Sequence, residues 1–113
     1  MSGLRLKLDP PAKFGGKPTD NYEEFIKKLR NYMSLNDMKY NGLMRWAQEE
    51  QLPISEGMID ANDDVDDTER TTKRLGTQLY YVLGSLTEGI AYVIVDQVEG
   101  QNGWEALRRL HRR

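Results

Sequence analysis

The stretch DNYEEFIKKLRNYMSL, residues 20–35, decides the fold. Its apolar side chains fall at Tyr22, Phe25, Ile26, Leu29, Tyr32 and Met33. That is the i, i+3, i+4, i+7 spacing of an amphipathic helix with one face in a core. Lys27, Lys28 and Arg30 lie off the stripe. Asp20, with Glu23 three positions on, has the form of a capping box and predicts the helix start. Asn36 and Asp37 predict its end near Leu35.

Toward the C-terminus the same reasoning predicts more helices. A second runs from Lys39 to Gln51 on Tyr40, Leu43, Met44 and Ala47, flanked by Trp46 and stopped by Pro53. The acidic stretch after it reads as a solvated loop. A third helix, Asp67 to Leu86, buries Leu75, Leu79, Val82, Leu83 and Leu86. Gly76 interrupts that helix. Glycine there is about 1 kcal/mol less favourable than alanine, so its presence predicts a close helix contact. Thr87 is the predicted cap of a fourth helix that carries Ile90, Ala91, Ile94, Val95 and Val98 into the core and stops at Gly100. The run Val93 to Val95 also admits a strand. Asn102 caps a fifth helix whose inner face is Trp104, Leu107 and Leu110.

Toward the N-terminus the period changes. Leu4, Leu6 and Leu8 alternate with Arg5, Lys7 and Asp9, the mark of an extended segment with one apolar face. Pro10 and Pro11 end it, and Gly15, Gly16 and Pro18 mark a turn. Such a segment either packs across its own bundle or seeks a partner. The expected architecture is all-α: a small bundle of about five helices over residues 20–113, with residues 1–19 as an extended arm and turn.

Composition narrows the function. The chain has 113 residues, of which 38% are hydrophobic and 30% charged, which suits one domain with a charged surface. No apolar run approaches the roughly 18 residues of a membrane span. The opening residues lack a secretory pattern, so a cytoplasmic location is expected. There are no cysteines, which removes disulfides and thiol chemistry. Sixteen basic and 18 acidic residues leave a net charge of −2, without the basic excess of non-specific nucleic-acid binders. Charge is uneven along the chain. Glu56, Asp60, Asp63, Asp64, Asp66, Asp67 and Glu69 form an acidic run. Arg108, Arg109, Arg112 and Arg113 surround the only histidine, His111. This basic end reads as a solvated helix terminus, giving nucleic acid weak contact at most.

Catalytic patterns fail. No serine sits in a Gly-x-Ser-x-Gly elbow. Gly15-Gly16-Lys17-Pro18 lacks the remaining positions of a phosphate loop. Asp60, Asn62 and Asp64 match the first ligands of a calcium loop, but Val65 stands where its glycine belongs and Thr71 where its glutamate belongs. The expectation is a non-enzyme with no cofactor and no metal.

Two stretches resemble one family. PAKFGGKPTDNYEEF, residues 11–25, with Leu29, Tyr32 and Met33, is similar to the opening of Gag capsid domains in LTR retrotransposons, especially the copia type. LYYVL, residues 79–83, then Gly89, Ala91, Val95 and Gly100, then WEALRRL, residues 104–110, resembles the close of that domain. The resemblance implies a capsid N-terminal lobe that self-associates into a particle shell. It implies fold-serving roles for Phe14, Tyr22, Phe25, Leu83, Trp104 and Leu107. It implies no catalytic residue and no membrane partner. The family's chains continue into a second lobe, so these residues look like an excised lobe, and no Cys/His zinc knuckle is present. Candidate assembly or partner contacts are Leu4, Leu6, Leu8, Lys27, Lys28 and Arg30. A domesticated lobe that captures a peptide near the N-terminal segment is the alternative.

Overall fold

Asn21 starts the first helix. Its side-chain oxygen accepts from the Glu24 N–H at 3.0 Å, and α1 follows from Tyr22–Asn36. The predicted cap, Asp20, does other work. Its carboxylate accepts from the backbone N–H of Gly15 (3.2 Å) and Lys17 (3.0 Å), bracing the turn before the helix. Capping belongs to whichever residue is the last with extended backbone, and that residue lies one position later than the pattern predicts.

The computed structural model describes residues 8–113, and among them six α-helices and no strand occur. After α1 come α2 (Lys39–Glu49), α3 (Glu56–Asp60), α4 (Thr71–Leu86), α5 (Gly89–Asp96), a 3-10 turn (Glu99–Gln101) and α6 (Gly103–Arg112). The bundle expected from the apolar stripes is present, with one more helix than predicted.

The extra helix lies in the acidic stretch, which is not a plain solvated loop. Ser55 accepts from the Met58 N–H at 3.3 Å and starts α3, whose Ile59 is buried. Asp63 accepts from both the backbone N–H (3.1 Å) and the hydroxyl (2.6 Å) of Thr72. Acids here satisfy the unpaired donors of a helix N-terminus. The helix after them starts at Thr71, four residues later than predicted, because Arg70 adopts left-handed backbone (φ 51°). That conformation costs on the order of 1 kcal/mol for a non-glycine residue. Ion pairs from Arg70 to Glu56 (2.7 Å) and Asp60 (2.9 Å) oppose the cost.

Thr87 also departs from expectation. Its hydroxyl donates to the Leu83 carbonyl at 2.7 Å, so it ends α4 rather than capping α5. The residues from 93 to 95 are helical, and α5 stops at Asp96, before Gly100. Gly100 instead supplies the positive φ (70°) of the 3-10 turn. At the next element the reading holds: Asn102 accepts from the Glu105 N–H at 3.1 Å and caps α6.

The core sits where α4 and α6 cross. Gly76 and Gly103 permit that approach. A Cβ on Gly76 would lie 2.5 Å from Nε1 of Trp104, and one on Gly103 would collide with the Gly76 carbonyl oxygen. Trp104 is fully buried, and its Nε1–H donates to the Thr72 carbonyl at 2.9 Å. Tyr40, also fully buried, donates its hydroxyl to the Leu75 carbonyl at 2.7 Å. The N-terminal segment is laced onto the opposite end of α4. The Phe14 N–H donates to the Leu86 carbonyl (2.8 Å), and the Phe14 carbonyl accepts from the Glu88 N–H (3.0 Å).

Candidate assembly surface

The signature residues gather in the core rather than at a site. Phe14 stacks on Phe25 (ring centroids 5.0 Å apart) and meets Tyr22 edge-on (5.5 Å). Leu83, Trp104 and Leu107 are fully buried. Their role here is packing. Burial, opposed in part by the Arg113 charge, pushes the Tyr22 hydroxyl pKa well above its ordinary value.

The candidate contact residues divide. Leu4 and Leu6 lie outside the described residues, and Leu8 is half-exposed. Lys27 and Lys28 are exposed on α1, while Arg30 is half-buried. Lys28 pairs with Glu24 at 2.8 Å. These three cations therefore lie along one helix, and only Lys28 has an acidic partner among the described residues.

The basic end is not a free solvated face. Arg108 and Arg109 bind the buried Glu105 carboxylate at 2.7 and 2.8 Å. The same carboxylate accepts from the Ile54 N–H at 2.8 Å. Burial alone would raise the Glu105 pKa. Hydrogen bonds from Arg108, Ile54 and Arg109 outweigh that and hold it at about 2. Arg112 donates to the Glu50 carbonyl at 2.7 Å. The Arg113 guanidinium lies over the rings of Phe14 (4.6 Å) and Tyr22 (5.0 Å). His111 is exposed, with Nδ1 3.2 Å from the Tyr22 hydroxyl. Arg108, Arg112 and Arg113 tie this end to residues outside α6, whereas Arg109 pairs only within the helix, and Arg109, Arg112 and Arg113 stay exposed.

Asp60, the first position of the calcium-like pattern, turns its carboxylate to Arg70. No group of three metal-ligating side chains occurs among the described residues, and no described helix is long and apolar enough to cross a membrane.

Sequence reasoning missed the outer face of α5. The expectation put Ile90 in the core, but it is 66% exposed. Val93 (51%) and Tyr92 (43%) are exposed beside it, while only Ala91 and Val95 point fully inward. The sequence carries the signal: GIAYVIV, residues 89–95, has no charged residue and no polar face. A helix apolar on every side is normally surrounded. This one is covered by α4 and α6 on one side. The result is an apolar patch, with the exposed Asp96 one turn on at its edge.

A smaller groove, of about 180 Å³, runs between the N-terminal segment and α1 and is lined by Pro11, Phe14, Glu24, Phe25 and Lys28. Comparison of the chain with protein-family models, with curated proteins and with solved structures returned no match.

Proposed function

We propose that this chain is a structural assembly domain, the capsid N-terminal lobe of a copia-type LTR-retrotransposon Gag, which builds a particle shell by self-association in the cytoplasm. The observation that carries the reading is the apolar outer face of α5. On a domain this charged, an unsheltered Ile90–Tyr92–Val93 patch is a contact surface in search of a partner. The patch is on the order of a few hundred Å², well under the roughly 800 Å² per partner of a stable pair. A contact that small is weak alone and strong when repeated. The resemblance over residues 11–25 and 79–110 supports the identity of the lobe. The proposal assigns no catalysis, cofactor or metal to the chain. Lys27, Lys28, Arg30 and the N-terminal leucines are its proposed further contacts, with nucleic acid a minor partner.

Sedimentation over a concentration series tests it. Weak, reversible association that disappears in an Ile90→Ser/Val93→Ser chain is the expected result. A chain that stays monomeric at millimolar concentration, or a salt-resistant dimer at nanomolar concentration, refutes it.

A second reading draws on the groove against α1. A domesticated lobe would hold a short peptide beside Pro11 and Phe14. It predicts that a peptide binds without changing the association state.

A further inference from the structure

A larger groove, of about 550 Å³, opens between α2 and the acidic turn. Its floor is apolar: Leu43 and Trp46 are half-buried there, and Met38 is 77% exposed. Gly42 lies between them with open space where a Cβ would be. Asp63, Asp64 and Asp67 form the opposite wall, and Lys39 is the one cation among the lining residues. Asp63 and Asp67 are engaged with the first turn of α4. Asp64, and Asp66 two positions on in the same turn though outside the lining, have carboxylates with no ion pair or hydrogen bond among the described residues. An apolar floor with an anionic rim suits a ligand that carries leucine-sized side chains and cations together.

This chain contains such a ligand. In Leu4-Arg5-Leu6-Lys7-Leu8, every second residue is leucine and both residues between them are cationic. In an extended chain Leu4 and Leu8 stand about 14 Å apart, at about 3.4 Å per residue. The floor from Met38 to Trp46 spans about 12 Å of helix, at about 1.5 Å per residue. The lengths match as well as the charges.

Phe14 is bonded to Leu86, at the end of α4 away from the groove, and Leu8, the described leucine of the segment, is not among the lining residues of its own copy's groove. We propose that the groove receives the Leu4–Leu8 segment of a second copy of this chain. The proposal rests on the assembly reading and gives it a second contact. Arm and groove are different surfaces, so the contact is head-to-tail and extends an array rather than closing a pair.

A capped synthetic peptide of residues 2–9 is titrated into the full chain, and the Trp46 emission is followed. Trp104 is fully buried and reports little. Saturable binding that weakens with salt is expected. Asp64→Lys/Asp66→Lys should weaken it by about tenfold or more. Gly42→Leu should abolish binding while leaving the melting temperature unchanged or higher, since it fills the groove from an exposed helix position. A peptide with serine at both Leu4 and Leu6 should not bind. Absence of binding, or binding indifferent to Gly42→Leu and to the rim substitutions, overturns the proposal.

Sedimentation of the same variants separates the two readings. If association survives Gly42→Leu and the rim substitutions but is lost in Ile90→Ser/Val93→Ser, the arm contact is refuted and the assembly reading stands. If the unmodified chain does not associate at all, both fall.

Discussion

α5 and α6 follow one another in the chain and pack side by side, yet they are buried in reverse order of their apolarity. α6 carries three arginines, a glutamate and a histidine, and six of its ten residues are buried. α5 carries one charged residue, Asp96, and only two of its eight are buried. The difference is periodicity and neighbours. α6 confines its apolar residues to one face, and α2, α4 and α5 cover that face. α5 has apolar residues on every side and neighbours on one. Apolarity says what a helix can bury, and packing says what it does bury. Where the two disagree, as on the outside of α5, the surplus is available for binding.

The comparison breaks most sharply at Trp104. Replacement by alanine should destabilise the fold by about 3–5 kcal/mol in urea denaturation, since the side chain is fully buried against Gly76 and Tyr40. A loss under about 1 kcal/mol would mean that α6 is not the centre of the core.

Glu105 tests whether charge in α6 holds the fold together. Its folded pKa is depressed from 4.5 to about 2. The stability it contributes is therefore present above pH 4.5 and lost as pH falls toward 2, up to about 3 kcal/mol as an upper bound. Glu105→Gln should remove that part of the acid sensitivity and lower stability at neutral pH, leaving Arg108 without its ion pair. An unchanged acid-denaturation profile would show that the carboxylate is not held as described. Glu56, equally depressed by Lys73 and Arg70, is exposed, so its loss should matter far less.

Within α5 the inner and outer faces should separate. Val95→Ala should cost about 2 kcal/mol and Val93→Ala close to nothing in thermal or urea melts, because the first is 1% exposed and the second 51%. Equal effects would mean that α5 is covered on both sides.

Ile90→Ser/Val93→Ser should likewise change stability little, within about 0.5 kcal/mol for surface changes. Its measure is sedimentation, where concentration-dependent association should be lost. Retention of association would move the contact elsewhere on the molecule.

Periodic patterns made α1, α4 and α6 legible in the sequence, together with the anchoring roles of Phe25, Leu29, Leu79, Leu83, Trp104, Leu107 and Leu110. Side chains three and four apart share a helix face whatever surrounds them. The small residue Gly76 also marked a close contact, although Gly42 and Gly84 lie inside helices with open space beside them, so a helix glycine does not by itself locate one. Other features depend on where separate segments meet. Asn21 rather than Asp20 caps α1, because the backbone turns one residue later. α3 forms where Ile59 finds the core, and Arg70 and Lys73 reach its Glu56 across the acidic turn. Glu105 is held by Ile54, 51 residues earlier in the chain, and Arg113 lies over Phe14 near the opposite end. The outward face of α5 belongs to the same class. Its apolar sequence was visible, but the number of neighbours around a helix is a property of the assembled bundle and leaves no local periodic mark.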